Sequence, residues 1–218
     1  MNVTRRVAIS VAAAGITALG AVLLPVSVAQ AAPVSVSSGM EINMEETVIT
    51  VSSCTLGAVV SPTTALTAAH CGTTGEAVFD SGGDQIGTIT ANLIGRQADI
   101  AVITLAPDVR AAVDPIDWSP DFYQGQAVSK VGISTGKTAG AVTDPDLKLR
   151  TAHGFSLAPP FFLTQSTLSI GTNIHSVSGD SGSGIRDADG DVIGILSSGA
   201  TSEDTQFTPV SLVPETLR

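Results

Sequence analysis

Hydrophobic residues fall in two regimes along this chain. From Val7 to about Val28 they run together without a single charge, behind the basic pair Arg5-Arg6. Beyond Gln30 they break into short stretches rich in Val, Ile and Thr, cut at close intervals by Gly, Pro, Asp or Ser. The second regime predicts strands at Thr47–Cys54, Gly57–Ser61, Thr64–Ala68, Glu76–Phe79, Gln85–Ala91, Ile100–Leu105, Ala127–Val131, Gly140–Thr143, Leu147–Thr151, Phe161–Leu163, Gly184–Arg186, Val192–Ser197 and Gln206–Pro209. Only Ser211–Leu217 offers a terminal helical turn. Such dense, short strands predict an all-β sandwich or barrel. The turns Asp80-Ser-Gly-Gly-Asp84 and Asp189-Gly190 fit hairpins, where glycine takes the positive φ that other residues avoid. A weak boundary at Asp114–Gln126 divides the second regime into two similar halves.

The first regime reads as an export signal. A basic start, an apolar run and the small-x-small ending Ala29-Gln30-Ala31 are the features that signal peptidase reads, so cleavage is expected after Ala31. A membrane anchor is the competing reading, because a run of about 20 apolar residues can span a bilayer. Gly15, Gly20, Pro25 and the adjoining cleavage site favour the signal. Residues 32–46, small and polar and then acidic at Glu41, Glu45 and Glu46, are expected to form a short propeptide or an N-terminal arm.

Charge narrows the partners. The 218 residues carry 20 acids and 10 bases. Removing the first 31 takes two arginines and no acid, and moves the formal charge from −10 to −12. Nucleic acid is excluded as a natural partner, since phosphate binding needs a basic face. The acidic surface favours a soluble monomer without stable membrane association once the signal is gone. Export also means an oxidising compartment, where Cys54 and Cys71 are expected to pair; two buried free thiols are the alternative. A bond between them would close a loop of about 18 residues, worth roughly 3 kcal/mol in chain entropy.

Three motifs carry chemistry: Thr67-Ala-Ala-His70-Cys71, Asp99-Ile-Ala-Val102 and Gly179-Asp-Ser-Gly-Ser-Gly184. Each alone has an ordinary structural explanation. Together they supply what a serine nucleophile needs. Its hydroxyl is weak at neutral pH and requires a base, and the base requires an acid to hold its tautomer. Glycines beside the serine permit a tight turn in which the N–H groups of Gly179 and Ser181 point at a developing oxyanion.

With these residues the sequence resembles the chymotrypsin-fold serine proteases, and most the small secreted bacterial enzymes of the streptogrisin and alpha-lytic type. The 29-residue gap from His70 to Asp99 suits that trimmed branch. Gly132-Ile-Ser-Thr-Gly136-Lys-Thr-Ala-Gly140-Ala-Val142 is similar to the strand pair that opens the second barrel, and Phe207-Thr-Pro-Val210 to the last strand. The resemblance implies two six-stranded antiparallel β-barrels, a chymotrypsin-like double barrel with a short C-terminal helix. It covers a domain from 47 to 218, divided near 120. It also implies a serine-type endopeptidase acting on polypeptides without a metal or other cofactor, with His70 as general base, Asp99 orienting it and Ser181 attacking. Gly179 and Ser181 would supply the oxyanion hole, and Ser197, Ser198 and Gly199 would line the substrate strand, with the Ser197 side chain near Asp99.

Departures from the family pattern are informative. Ser183 and Gly184 stand where relatives commonly have Gly and Pro, and no cysteine lies beyond Cys71. The animal-type Ile-Val-Gly-Gly start is missing, so Asp180 is not expected to wait for a new amino terminus. The resemblance to bacterial relatives implies that an internal basic residue holds it, and Lys130 is the matching candidate by position. The pocket floor falls near His175 and Ser176, where no acid favours Arg or Lys side chains. Leu196 stands at the place of the histidine in glutamate-preferring relatives. An acid bound by His175 or Ser176 stays open as an alternative, but the −12 charge repels acidic peptides, and a small or medium apolar side chain is the expected preference. Asp187-Ala-Asp189-Gly-Asp191 departs from a calcium loop in its glycine position and lacks the distal glutamate, so it is expected to be a hairpin turn. Two other functions use the same residues: a secreted binding protein that keeps the fold without turnover, and an esterase.

Overall fold

The computed structural model describes residues 33–47, 50–155 and 162–218. The expected signal peptide, residues 1–31, lies outside the described residues. Fifteen strands and four short 3-10 turns make up the described chain. The strands are β1 (Ser35–Val36), β2 (Glu41–Thr47), β3 (Thr50–Thr55), β4 (Ala58–Ser61), β5 (Thr64–Thr67), β6 (Ala77–Asp80), β7 (Gln85–Asn92), β8 (Ala101–Leu105), β9 (Arg110–Ala111), β10 (Ala127–Gly132), β11 (Gly136–Phe155), β12 (Phe162–Thr172), β13 (Gly184–Arg186), β14 (Val192–Thr201) and β15 (Asp204–Pro209). Among the described residues no helix is long and apolar enough to cross a membrane.

The chain forms a double barrel of the chymotrypsin type. The first half is a seven-stranded sheet in the order β3-β2-β6-β7-β8-β5-β4, and the second a closed six-stranded barrel in the order β10-β11-β12-β15-β14-β13. Each half has its own apolar cluster, the first around Ile42, Leu66, Ile86 and Ile103, the second around Val128, Ile170, Ile193 and Phe207. The seventh strand of the first half is β2, drawn from the segment expected to be a propeptide or arm. Val36, Ile42 and Met44 in that segment are fully buried, and Ser35–Val36 pairs in parallel with Arg110–Ala111. The two strands expected at Gly140–Thr143 and Leu147–Thr151 are one bulged strand, β11, which runs beside β12.

The linker expected at Asp114–Gln126 couples the halves. Asp114 Oδ2 accepts the Val59 N–H at 2.8 Å, while its Oδ1 accepts from Arg186 Nη2 at 2.5 Å and Ser38 Oγ at 2.9 Å. The short C-terminal helix is present as two 3-10 turns rather than one continuous helix, Val210–Leu212 and Glu215–Leu217. Pro214 is the reason. Its ring disfavours helical geometry in the residue before it, and Val213 is extended at ψ 121.

Candidate active site

His70 sits in a 3-10 turn, Ala69–Cys71, that continues from β5. Three fixtures hold this turn. The Cys54–Cys71 disulfide ties it to β3. Asn92, at the end of β7, donates through Nδ2 to the carbonyls of Ala69 and Gly72 at 2.7 and 2.8 Å, bracketing the histidine. Asp99 Oδ1 accepts the His70 backbone N–H at 2.9 Å.

The Asp99 side chain, just ahead of β8, is wholly buried. Its Oδ2 lies 2.8 Å from His70 Nδ1 and also accepts the hydroxyl of Ser197 from β14. A carboxylate only accepts, so Nδ1 carries the proton and Nε2 keeps its lone pair. Burial disfavours the Asp99 charge, but the His70 charge and hydrogen bond, the Ser197 hydroxyl and the His70 N–H together pull its pKa down to about 2. Burial likewise lowers the His70 pKa, and the facing Asp99 charge and hydrogen bond outweigh it, leaving it above 6.5. The imidazole side chain remains 29% exposed, so its far edge stays accessible.

Ser181 is placed by the backbone on either side of it. Its carbonyl accepts the Thr55 N–H at 2.8 Å, and Gly182 N–H donates to Leu196 O at 2.9 Å. Gly182 has φ +87, and a Cβ there would stand 2.2 Å from Thr67 Oγ1 and 2.5 Å from Thr55 O. The serine turn is therefore pressed against the segment that leads into His70, and a glycine is required for that approach. Among the described residues the Ser181 hydroxyl has no hydrogen-bond partner. The N–H groups alternate along the turn: those of Asp180, Gly182 and Ser183 donate to Val177 O, Leu196 O and Asp180 O. Those of Gly179 and Ser181 donate to no protein acceptor among the described residues. The two open donors are the N–H of Ser181 itself and that of Gly179 two residues before it, the arrangement that an oxyanion hole requires.

Asp180 faces inward. Lys130, the residue expected to hold it, lies 3.1 Å from Asp180 Oδ2 with both side chains fully buried. Thr135 Oγ1 bridges the pair, accepting from Lys130 and donating to Asp180 at 2.7 Å in each case. The N–H groups of Ser134, Thr135 and Val177 complete the carboxylate's shell. Burial opposes the Asp180 charge, but the donors from Thr135, Val177 and Lys130 hold its pKa below the usual carboxylate value. Burial pulls the Lys130 pKa down while Asp180 holds it up.

The expected pocket residues gather at one end of the second barrel. Ser176 N–H donates to Ser202 O at 2.9 Å, in the β14–β15 turn, while Ser198 and Gly199 pair with Gln206 and Thr205. His175 is exposed, with its carbonyl accepting from Thr138. The Asp187–Asp191 stretch is a hairpin turn, where Asp187 Oδ1 accepts the N–H groups of Asp189, Gly190 and Asp191. Sequence reasoning missed Asn92, Thr135, Thr55 and Ser134. Only Ser134 and Thr135 carried a signal, by lying inside the Gly132–Val142 motif.

A family model described as Trypsin matches residues 29–215. The chain belongs to the trypsin family. It is a serine-type endopeptidase by that membership. Three solved structures share its fold: a chymotrypsin from Cellulomonas bogoriensis, at 22% identity and TM-score 0.58 over 81% of this chain and 92% of that one; protease A from Thermobifida fusca, at 20% identity and TM-score 0.60 over 81% and 92%; and a Nocardiopsis protease, at 17% identity and TM-score 0.63 over 84% and 96%. No curated protein sequence matches the chain.

Proposed function

We propose that this trypsin-family protease is exported and cleaves peptide bonds through an acyl-enzyme on Ser181. His70 takes the serine proton through Nε2 and returns it to the leaving amine. Asp99 holds the imidazole and stabilises the imidazolium that forms. The N–H groups of Gly179 and Ser181 receive the oxyanion. The observation that carries this reading is the buried Asp99 Oδ2, 2.8 Å from His70 Nδ1. It supports a histidine presented as a base rather than a chance surface side chain.

The substrate is an extended polypeptide that adds a strand along Ser197–Gly199. A small or medium apolar side chain enters near His175 and Ser176, where no carboxylate would favour a basic one. Segment 32–46 is retained in the mature enzyme, since its loss would remove the buried Val36, Ile42 and Met44 from the first half.

Fluorophosphonate labelling of the secreted protein, with intact mass before and after, tests the reading together with peptide hydrolysis by wild type and Ser181→Ala. One adduct on Ser181, an N-terminus near Ala32 and loss of turnover in the variant are expected. Equal activity of the two proteins overturns the nucleophile. Absence of an adduct on folded protein favours a binding role, and cleavage of esters but not peptides an esterase.

A further inference from the structure

The two open donors at the serine turn are peptide N–H groups, and each shares a planar unit with a carbonyl on the opposite edge. The partner of that carbonyl therefore decides where the donor points. Gly179 N–H belongs to the peptide whose carbonyl is Ser178 O, and that oxygen accepts Ser134 Oγ at 2.7 Å. Ser181 N–H belongs to the peptide whose carbonyl is Asp180 O. That oxygen accepts the buried Ser183 Oγ at 2.6 Å as well as the Ser183 N–H at 3.0 Å. The peptide between them is held in the same manner, with Gly179 O accepting Thr55 Oγ1 at 2.9 Å. Three consecutive carbonyls thus each accept a side-chain hydroxyl.

We infer that Ser134 and Ser183 are positioning residues for the oxyanion hole, each clamping the far edge of a peptide whose N–H stabilises the tetrahedral intermediate. The inference rests on the proposed role of Ser181 and deepens it. A peptide beside a glycine turns easily as a unit. Gly179, at φ +96, has no side chain of its own to resist that turn. The Ser134 bond supplies the resistance. A Cβ on Gly179 would fall 2.4 Å from Ser134 Oγ, so the glycine and the hydroxyl are fitted to each other. The Ser183 hydroxyl is used inside the turn, on the peptide that presents the Ser181 N–H. Pre-aimed donors gain most when charge develops, because they need no reorganisation at that moment.

The test compares Ser134→Ala and Ser183→Ala with wild type on a peptide p-nitroanilide that the wild type cleaves, and on the aldehyde and the alcohol of the same peptide. Ser181 Oγ adds to the aldehyde carbon, its proton passes to His70, and the carbonyl electron pair becomes an oxyanion. The alcohol binds without forming that adduct. Each variant is expected to lose about tenfold in kcat at unchanged KM, a fraction of what deleting a donor outright costs. Aldehyde affinity should fall about tenfold while alcohol affinity holds, and Ser134→Thr should restore both kcat and aldehyde affinity. Unchanged kcat and aldehyde affinity overturn the inference, as does a parallel loss of aldehyde and alcohol affinity, which marks a merely structural role. Should Ser183→Ala fail to fold, the exposed Ser134 decides the outcome. Wild-type turnover and the Ser181 adduct are measured first. Their failure refutes the proposed role of Ser181 and this inference with it, whereas an active wild type with indifferent variants refutes this inference alone.

Discussion

Lys130 and Asp180 form an ion pair at 3.1 Å with neither side chain exposed. The aspartate beside Ser181 is thus held from within the second half. Thr135 and three backbone N–H groups meet the rest of its hydrogen-bonding needs. Removing one partner of a buried pair leaves an uncompensated charge. Lys130→Met should cost about 3–5 kcal/mol of stability and most of the turnover, read from urea unfolding and active-site titration. Unchanged stability and activity would show that the pair does not organise the serine turn.

In the proposed mechanism the His70–Asp99 pair sets the pH profile. Turnover by that route needs neutral His70, whose pKa the facing Asp99 holds above 6.5. The acid limb of kcat/KM is therefore expected above pH 6.5, with about a tenfold loss per unit below it. Ser197→Ala removes a donor from Asp99, concentrates the carboxylate's charge on the imidazolium, and should move that limb to higher pH. It should also lower kcat/KM about tenfold, in line with a lost bond to a charged group. A limb below pH 6 in the wild type would contradict the assignment.

Stability responds to the same pair with opposite signs at its two ends. The Asp99 pKa is depressed to about 2, so its contribution is present above its unfolded value near 3.8 and is lost as pH falls toward 2. The His70 pKa is raised, so its contribution is full below 6.5 and is lost as pH rises through the folded value. The pair stabilises most between about pH 4 and 6.5. Urea midpoints of wild type and Asp99→Asn across pH 2–9 should differ most in that window, and a constant difference would dismiss the linkage.

Gly182→Ala tests the contact between the serine turn and the histidine segment. The added methyl meets Thr55 O at 2.5 Å and Ala68 N at 3.1 Å, both backbone atoms that cannot step aside, at a positive φ. A loss of about 2–4 kcal/mol is expected, with loss of fluorophosphonate reactivity. Wild-type reactivity would mean that the turn moves freely relative to His70.

The Cys54–Cys71 bond should be worth roughly 3 kcal/mol, from the loop it closes. Thermal unfolding of Cys54→Ala/Cys71→Ala, or of reduced wild type, measures this. An unchanged midpoint would assign the anchoring of the His70 turn to Asn92 and Asp99 alone.

The amino-acid sequence by itself determined the all-β class, most strand positions, and the three motifs, because strand alternation, glycine punctuation and the residues around Ser181 are local properties of the chain. It also pointed to Lys130, through the resemblance to bacterial relatives in which an internal basic residue holds the matching aspartate. Only the tertiary structure decided that residues 35–47 belong to the first half. The apolar Val36, Ile42 and Met44 are spaced among polar neighbours, and their burial depends on sheet partners elsewhere in the chain. It decided the ending too, where Pro214 breaks a stretch whose composition suggested a helix. The roles of Asn92, Thr55 and Ser183 could not be read beforehand. Each acts by donating to or receiving from a backbone group, and backbone groups are the same in every residue, so no pattern of side chains announces where such a bond will fall.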